Sequence, residues 1–423
     1  MHYIFEGHDT VNLAEDFGTP LYVISEERIE RAVKTVKDAF LSVGLDIAVY
    51  YAGKAFTNKA MCRIVENCGI GLDTVSGGEL FTALSAGFPA NRIVCHGSVK
   101  TSDEIELAVK NGVHCIVINS PAEIPVIDSA AARLGTTANV ALRVSPGVDP
   151  HTHEYITTGT LDTKFGLMPE ELIPAAKAVH EAKHLNFTGL HCHIGSQIMD
   201  DEPFILALSI MLGHVKELHE QGIMVVELNM GGGFGIPYLP DEKEFDMYGY
   251  AARFRRTLDR LCVAYGIPIP KIAVEPGRYI IGPAGITIYK VCAVKDIPGI
   301  RRYISVDGGL NDNPRPALYQ ARYNAVIADK YGDGLPESEA RISGRSCETD
   351  TLIDSIMLPD AEIGDIMVFE DTGAYCYSMA GNYNRLGIPK IVLLHADMAH
   401  VIKREQTAED IASFDEIPDW LEG

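Results

Sequence analysis

Several polar side chains in this chain follow short apolar runs, where a strand would end and deliver them to one mouth. Lys54 closes AVYYAGK. A primary amine in a confined, partly apolar place can lose its proton and form an imine with a carbonyl; the plainer reading is a lysine snorkelling from a strand end. Glu275 opens EPGR. Held against a pyridine nitrogen, a carboxylate keeps that nitrogen protonated and makes the ring an electron sink; the alternative is a Glu275–Arg278 ion pair that only braces the loop.

Gly231, Gly232 and Gly233, with Gly235 beyond them, form a run whose backbone can approach an anion closely. The spacing is not that of a dinucleotide-binding loop, and glycine runs are also ordinary turns. His191 and His193 flank Cys192, and period-two geometry puts both on one face. With His151 and His153 they raise a zinc reading, but no second carboxylate or thiolate cluster accompanies them, so no metal is expected. The other option is an imidazole lying flat on a cofactor ring, with Ser196 donating to a phosphate. Cys347 and Glu348 lie in SGRSCETDTL; the thiol could act as an acid or be a small buried cysteine. Arg315 and Tyr319, four residues apart in NPRPALY, suit a carboxylate or brace an interface.

The elements that must position these groups alternate. Strand-like runs at 48–54, 71–76, 93–97, 114–119, 140–146, 188–195, 225–233 and 271–278 are separated by helical stretches that include 77–87, 102–112, 121–135, 169–182, 202–222 and 246–266. Eight such units are the count of a TIM-type (β/α)8 barrel, and a doubly wound open sheet is the rival. The polar residues favour the barrel. Lys54, Asp73, Ser76, His96, Asn119, Arg143, His193, the glycine run, Glu275 and Arg278 all fall at strand carboxyl ends, which converge only in a closed barrel. After about residue 280 helical periodicity fades into strand-like runs such as GITIYKVCAVKD, RYISVDGG, ARISG, GDIMVFED and PKIVLLH. The expected organisation is an α/β barrel over 26–280 and an all-β domain, barrel or sandwich, from 281–423 joined by 1–25.

The balance of 36 basic and 58 acidic residues, net −22, argues against nucleic-acid or anionic-membrane partners. Nine scattered cysteines without a C-x-x-C pair argue against disulfides and structural zinc. No basic-then-apolar leader opens the chain and no apolar run reaches 18 residues, so a cytoplasmic location is expected.

In order, YAGKAF, GLDTVSGGEL, DPHTHEYITTG, KFGL, HCHIGSQI, NMGGGFG, EPGRYI, DGGLNDNPRPALY, SCETD and GAYCYSMAGNYN closely resemble the diaminopimelate decarboxylases, within the alanine-racemase-like enzymes that use pyridoxal 5′-phosphate (PLP). The resemblance spans about residue 20 to 395. It implies that Lys54 holds PLP covalently, His193 stacks on its ring, and Glu275 meets the pyridine nitrogen. Ser196, Gly231–Gly233 and the backbone at Gly277 and Arg278 would hold the phosphate, with Tyr375 nearby and Asp73 among the cofactor contacts. Arg278, Arg315, Tyr319 and Tyr375 would face the substrate, with the first three on its distal carboxylate; Glu348 would take its distal amine, and Cys347 would return the proton after CO2 leaves. It further implies a homodimer with shared active sites, Cys347 and Glu348 serving the partner's PLP. Arg385 directly after NYN and the weakly charged SIMLPD depart from the usual pattern. Two other readings stand beside this one: a related decarboxylase of ornithine, arginine, lysine or carboxynorspermidine, and a non-catalytic PLP-binding regulator. A bare distal amine would not need Arg315, and a regulator would have no chemical reason to keep both Lys54 and Cys347.

Overall fold

The structure is a computed structural model that describes residues 1–148 and 164–421. The chain divides into two compact units, one of residues 30–237 and 243–280, the other of residues 1–29, 238–242 and 281–423.

Strand β1 (Leu21–Ser25) and helix α1 (Glu26–Leu41) lead into the eight-fold alternation. Strands β2 (Ala48–Ala52), β3 (Gly71–Thr74), β4 (Ile93–Cys95), β5 (Cys115–Ile118), β6 (Ala138–Arg143), β7 (Leu185–His191), β8 (Glu227–Asn229) and β9 (Lys271–Val274) pair in parallel, and β9 returns to β2 to close the barrel. Helices α2 (Lys59–Asn67), α3 (Gly77–Ser85), α4 (Ser102–Asn111), α5 (Glu123–Arg133), α6 (Leu172–Glu181), α7 (Glu202–Glu220), α8 (Met247–Tyr265) and the single turn α9 (Arg278–Ile281) follow in register. Closure rules out the open-sheet rival. The barrel interior packs Tyr50, Val94, Cys115, Val117, Ala141 and Ala273, side chains from alternate positions of neighbouring strands.

Local chemistry sets these boundaries. Thr101 and Glu104 form a reciprocal capping box at the start of α4, and Gly112 ends it in the left-handed conformation. Ser76, read as a mouth residue, caps α3 by accepting from the Glu79 N–H at 3.2 Å. Each strand ends one to four residues before its sequence run does, because the polar residues that follow curve into the loops of the mouth.

The second unit holds a nine-stranded sheet. Strands β10 (Gly285–Ile297), β11 (Arg301–Val306), β12 (Ala325–Ile327), β13 (Glu337–Ser343), β14 (Thr351–Pro359), β15 (Ile366–Phe369), β16 (Lys390–His395) and β17 (Met398–Lys403) run in the order β14-β13-β11-β10-β1-β16-β17, with β15 pairing β10 and β12. The LYVIS segment of β1 lies between β10 and β16, with all five residues buried. Its core gathers Leu21, Val23, Ile286, Ile288, Val368, Val392 and Leu394. The short helices α10 (Arg315–Tyr319) and α11 (Ala408–Ala412), an N-terminal helix at Thr10–Phe17 and a small pair of strands, Ile4–Phe5 and His8–Asp9, also belong to this unit. Among the described residues no helix is long and apolar enough to cross a membrane.

Burial leaves a pH signature. Asp312, fully buried in the second unit, is pushed up to about 7 mainly by desolvation, against hydrogen bonds from Tyr289 and the Gly309 N–H. In the unfolded chain it titrates near 3.8. Between those values the folded state binds the extra proton, so this group's contribution to stability falls as pH rises from about 4 through 7. The gain in Tm on going from pH 8 to pH 6 is therefore expected to be smaller in Asp312→Asn than in the parent; an identical gain would show that Asp312 stays ionised in its burial site.

Candidate active site

The carboxyl ends of the barrel strands bring one set of side chains together. Lys54 follows β2 in a single 3-10 turn, Gly53–Ala55, and is half-buried. Its ammonium acts electrostatically on Asp73, Glu79 and His193. Asp73 is 1% exposed, and burial raises its pKa while His96 and Lys54 oppose the shift. Among the described residues its Oδ1 has no hydrogen-bond partner, and it lies 3.7 Å from His96 Nε2.

Glu275 sits at the centre, just past β9. Its carboxylate is contacted by His96 Nε2 at 2.8 Å, His191 Nε2 at 3.0 Å and Asn229 Nδ2 at 2.7 Å. Burial alone would raise its pKa; the two imidazoles outweigh that and hold it well below the ordinary carboxylate range. His191 is itself pushed down to about 4, chiefly by burial. Three donors leave one of a carboxylate's roughly four lone-pair positions for a further donor. Asn229 also accepts the Gly231 N–H at 2.9 Å, and the Glu275 N–H donates to Gly231 O at 2.8 Å, so the glycine run is tied to the carboxylate.

The glycine run packs backbone on backbone. A Cβ on Gly232 would lie 2.0 Å from Glu275 O, one on Gly231 2.4 Å from Cys192 O, and one on Gly233 2.4 Å from Gly195 O. Gly231 and Gly233 also have φ of +66° and +118°. Across this cradle Arg278 Nη2 donates to Ser196 Oγ at 3.0 Å, and Gly277 packs against Ala52. The Gly232 N–H donates to His193 Nδ1 at 3.3 Å. That bond needs a bare Nδ1, and burial next to Lys54 and Arg143 holds the ring well below its ordinary pKa. His193 is thus neutral, with its proton on Nε2.

The two histidines around Cys192 do not act as a pair. β7 ends at His191, which turns to Glu275, whereas His193 turns to the glycine run. His151 and His153 lie outside the described residues. Among the described residues, His96, His191 and Glu275 have ligand-capable atoms within 4.8 Å of one another, but each imidazole is hydrogen-bonded to the carboxylate itself. Of the network around Glu275, Asn229 was not picked out from the sequence, and His96 was read only as a mouth residue; the signal for both was their place at strand carboxyl ends.

Five other candidates belong to the second unit. Arg315 opens α10, buried, with Nη1 donating to Tyr238 Oη at 3.0 Å and to Tyr323 Oη, and its guanidinium over both rings. Tyr319 ends the same turn, half-buried. Tyr375 is half-buried with φ +61°. Cys347 and Glu348 are both exposed, which overturns the reading of Cys347 as a small buried cysteine. The Cys347 N–H donates to Asn384 Oδ1 at 2.8 Å and Tyr383 Oη donates to Glu348 at 2.5 Å. Arg385, the departure noted after NYN, reaches Asp415 at 2.5 Å and Ile411 O at 3.3 Å, and so ties down the C-terminal tail.

Residues 26–282 match the family model described as the pyridoxal-binding domain of pyridoxal-dependent decarboxylases. The diaminopimelate decarboxylase of Bacillus subtilis is 42% identical over 418 residues, 98% of this chain and 95% of that protein. The crystal structure of diaminopimelate decarboxylase from M. jannaschii in complex with L-lysine superposes with a TM-score of 0.93 at 35% identity, covering 99% of this chain and 97% of that one. The Helicobacter pylori enzyme, also solved with L-lysine, gives 0.88 at 32% identity, covering 96% and 98%.

Proposed function

This chain belongs to the diaminopimelate decarboxylase family of pyridoxal-dependent enzymes, and from that premise we propose how its residues divide the work. It is a carboxy-lyase that converts meso-2,6-diaminopimelate to L-lysine and CO2 with PLP as cofactor. The fit of the barrel mouth to PLP rests on three features. Lys54 supplies an amine, Glu275 keeps one lone-pair position open, and the glycine run, packed backbone on backbone with no room for a Cβ, leaves bare main chain on that side of the mouth. When bound, PLP supplies an aldehyde that takes an amine and a protonated pyridine ring that accepts the electron pair left by the departing carboxylate.

The chain's own groups then have distinct tasks. Lys54 holds the cofactor and yields to the substrate amine, with Asp73 and Glu79 beside it as sinks for a proton. Glu275, ionised between two imidazoles, keeps the proton on the ring nitrogen. Neutral His193 offers its flat face to the ring without adding a charge that would oppose that proton. Ser196, Gly231, Gly232, Gly233, Gly277 and Arg278 hold the phosphate, with Tyr375. Arg278, Arg315 and Tyr319 take the distal carboxylate and Glu348 the distal amine. The Cys347 thiol delivers the proton to the α-carbon. Cys347 and Glu348 serve a partner's barrel, so the active form is a homodimer, and the enzyme works in the cytoplasm.

The observation that carries this reading is the ionised Glu275 held by His96, His191 and Asn229 behind the glycine cradle, on the same mouth as Lys54. Cys347→Ala tests the division of labour. It is expected to lower turnover by about 10²–10⁴-fold, the usual worth of a positioned proton donor. The visible absorbance of bound PLP should persist. Turnover equal to the parent would remove the thiol from the reaction.

A further inference from the structure

The loop that carries Cys347 and Glu348 is held from two sides. Strand β13 ends at Ser343 and β14 begins at Thr351, so residues 344–350 form a short crossing. On its inner side lies Asp350, buried and at φ +43°, an unusual backbone state for a residue with a side chain. Its Oδ2 accepts the Ser346 N–H at 2.8 Å, within the same loop. Its Oδ1 accepts the Leu310 N–H at 2.7 Å, in the neighbouring loop after β11. That second loop runs directly into α10 and so carries Arg315 and Tyr319.

The two loops also meet backbone to backbone. A Cβ on Gly344 would lie 2.4 Å from the Gly309 Cα, and one on either glycine would lie 2.3 Å from Asp350 Oδ2. The Arg345 N–H donates to Gly308 O at 2.9 Å, and the Gly344 N–H to Asp350 O at 2.8 Å. On the outer side, Asn384, at φ +54°, accepts the Cys347 N–H at 2.8 Å. One carboxylate therefore sets the spacing between the loop bearing the proposed acid and the loop bearing the proposed carboxylate-binding pair, and one amide fixes the acid's own peptide.

We propose that Asp350 and Asn384 are positioning residues for the decarboxylation, acting through Cys347, a role that rests on the assignment of Cys347 under Proposed function. Neither side chain needs to touch substrate. Both carboxylate oxygens of Asp350 accept backbone N–H groups, so an amide there can satisfy only one and turns N–H against N–H at the other. The result is a displaced loop with the barrel left intact.

The test uses holoenzyme and meso-diaminopimelate. Asp350→Asn removes the inner clamp. Asn384→Gly removes the outer one and retains the positive φ, so it remains informative if Asp350→Asn does not fold. Each is expected to lower kcat by about 10- to 100-fold, since a misplacement of about 1 Å can cost about 10²-fold. PLP absorbance should be unchanged. The decisive readout is the double-mutant cycle with Cys347→Ala. If the clamps act through Cys347, each double variant is no slower than Cys347→Ala alone. Losses that multiply, or kcat unchanged in both single variants, would overturn the proposal. A Cys347→Ala enzyme with parental turnover would instead sink the assignment of the acid and this proposal with it, an outcome the cycle separates from the others.

Discussion

Replacing Lys54 by alanine is expected to reduce CO2 release from meso-diaminopimelate to background and to abolish the visible absorbance of the covalently held cofactor. The expectation follows from geometry. Lys54 leaves β2 on the one mouth shared by Asp73, His193 and Glu275, and its ammonium is felt by Asp73, Glu79 and His193. Lys100, a half-buried lysine in the loop after β4, is engaged with Glu123 at 2.9 Å and Gly97 O at 3.1 Å. An alanine there removes a cation from beside two buried carboxyls, but burial already raises the pKa of both, so they can take up protons instead and the variant should keep its fold, checked by far-ultraviolet circular dichroism. A folded Lys54→Ala protein that retained the absorbance band would place the imine elsewhere.

The second large effect is expected at Glu275. Glu275→Gln removes the charge that His96 and His191 surround and aims an amide N–H at one of them. Breaking a buried, charge-assisted arrangement by changing one partner costs about 3–5 kcal/mol. Part should appear as a lower Tm and part as weaker cofactor uptake. Turnover in excess PLP should fall by about 10²–10³-fold, the scale on which preorganised electrostatic groups act in buried sites. Reconstitution followed by absorbance, with kcat measured at saturation, separates the two. Parental kcat in saturated Glu275→Gln would mean the ring nitrogen's proton does not depend on this carboxylate.

How much of this was legible beforehand depends on the range of the interactions. The barrel strands could be read because each is a local run of β-branched residues ended by a polar group, as in AVYYAGK or HCIVIN. The network around Glu275 could be read only as far as His96 and Glu275 sharing one mouth, not as side chains that meet. His96, His191, Asn229 and Glu275 come from four strands spread over 180 residues of sequence, and nothing local in VCHG or ELNM marks their convergence. Helices α1 and α2 do not stand among the helical stretches named from the sequence, although EERIERAVKTVKDAFL is amphipathic and KAMCRIVEN lies between two recognised strand runs. Strands β12, β14 and β17 were missed for another reason. β12 is only three residues long, too short for a pattern to show, whereas β14 and β17 lie at the two ends of the sheet with more than half of each strand incompletely buried, so TLIDSIMLP and MAHVIK lack a continuous apolar signature. Arg315 was read as a binding cation from its spacing to Tyr319. Its phenolic partners, Tyr238 and Tyr323, come from segments that spacing alone could not connect to it.

The position of β1 bears on how the polypeptide is made. Its neighbours, β10 and β16, leave the ribosome about 260 and 365 residues later. At roughly 5–20 residues per second the nascent LYVIS segment waits some tens of seconds, apolar and with both edges open. The N-terminal segment is thus translated first yet assembled last, and a chain stalled before residue 390 would present a sticky, half-zipped ribbon to chaperones and to other nascent copies.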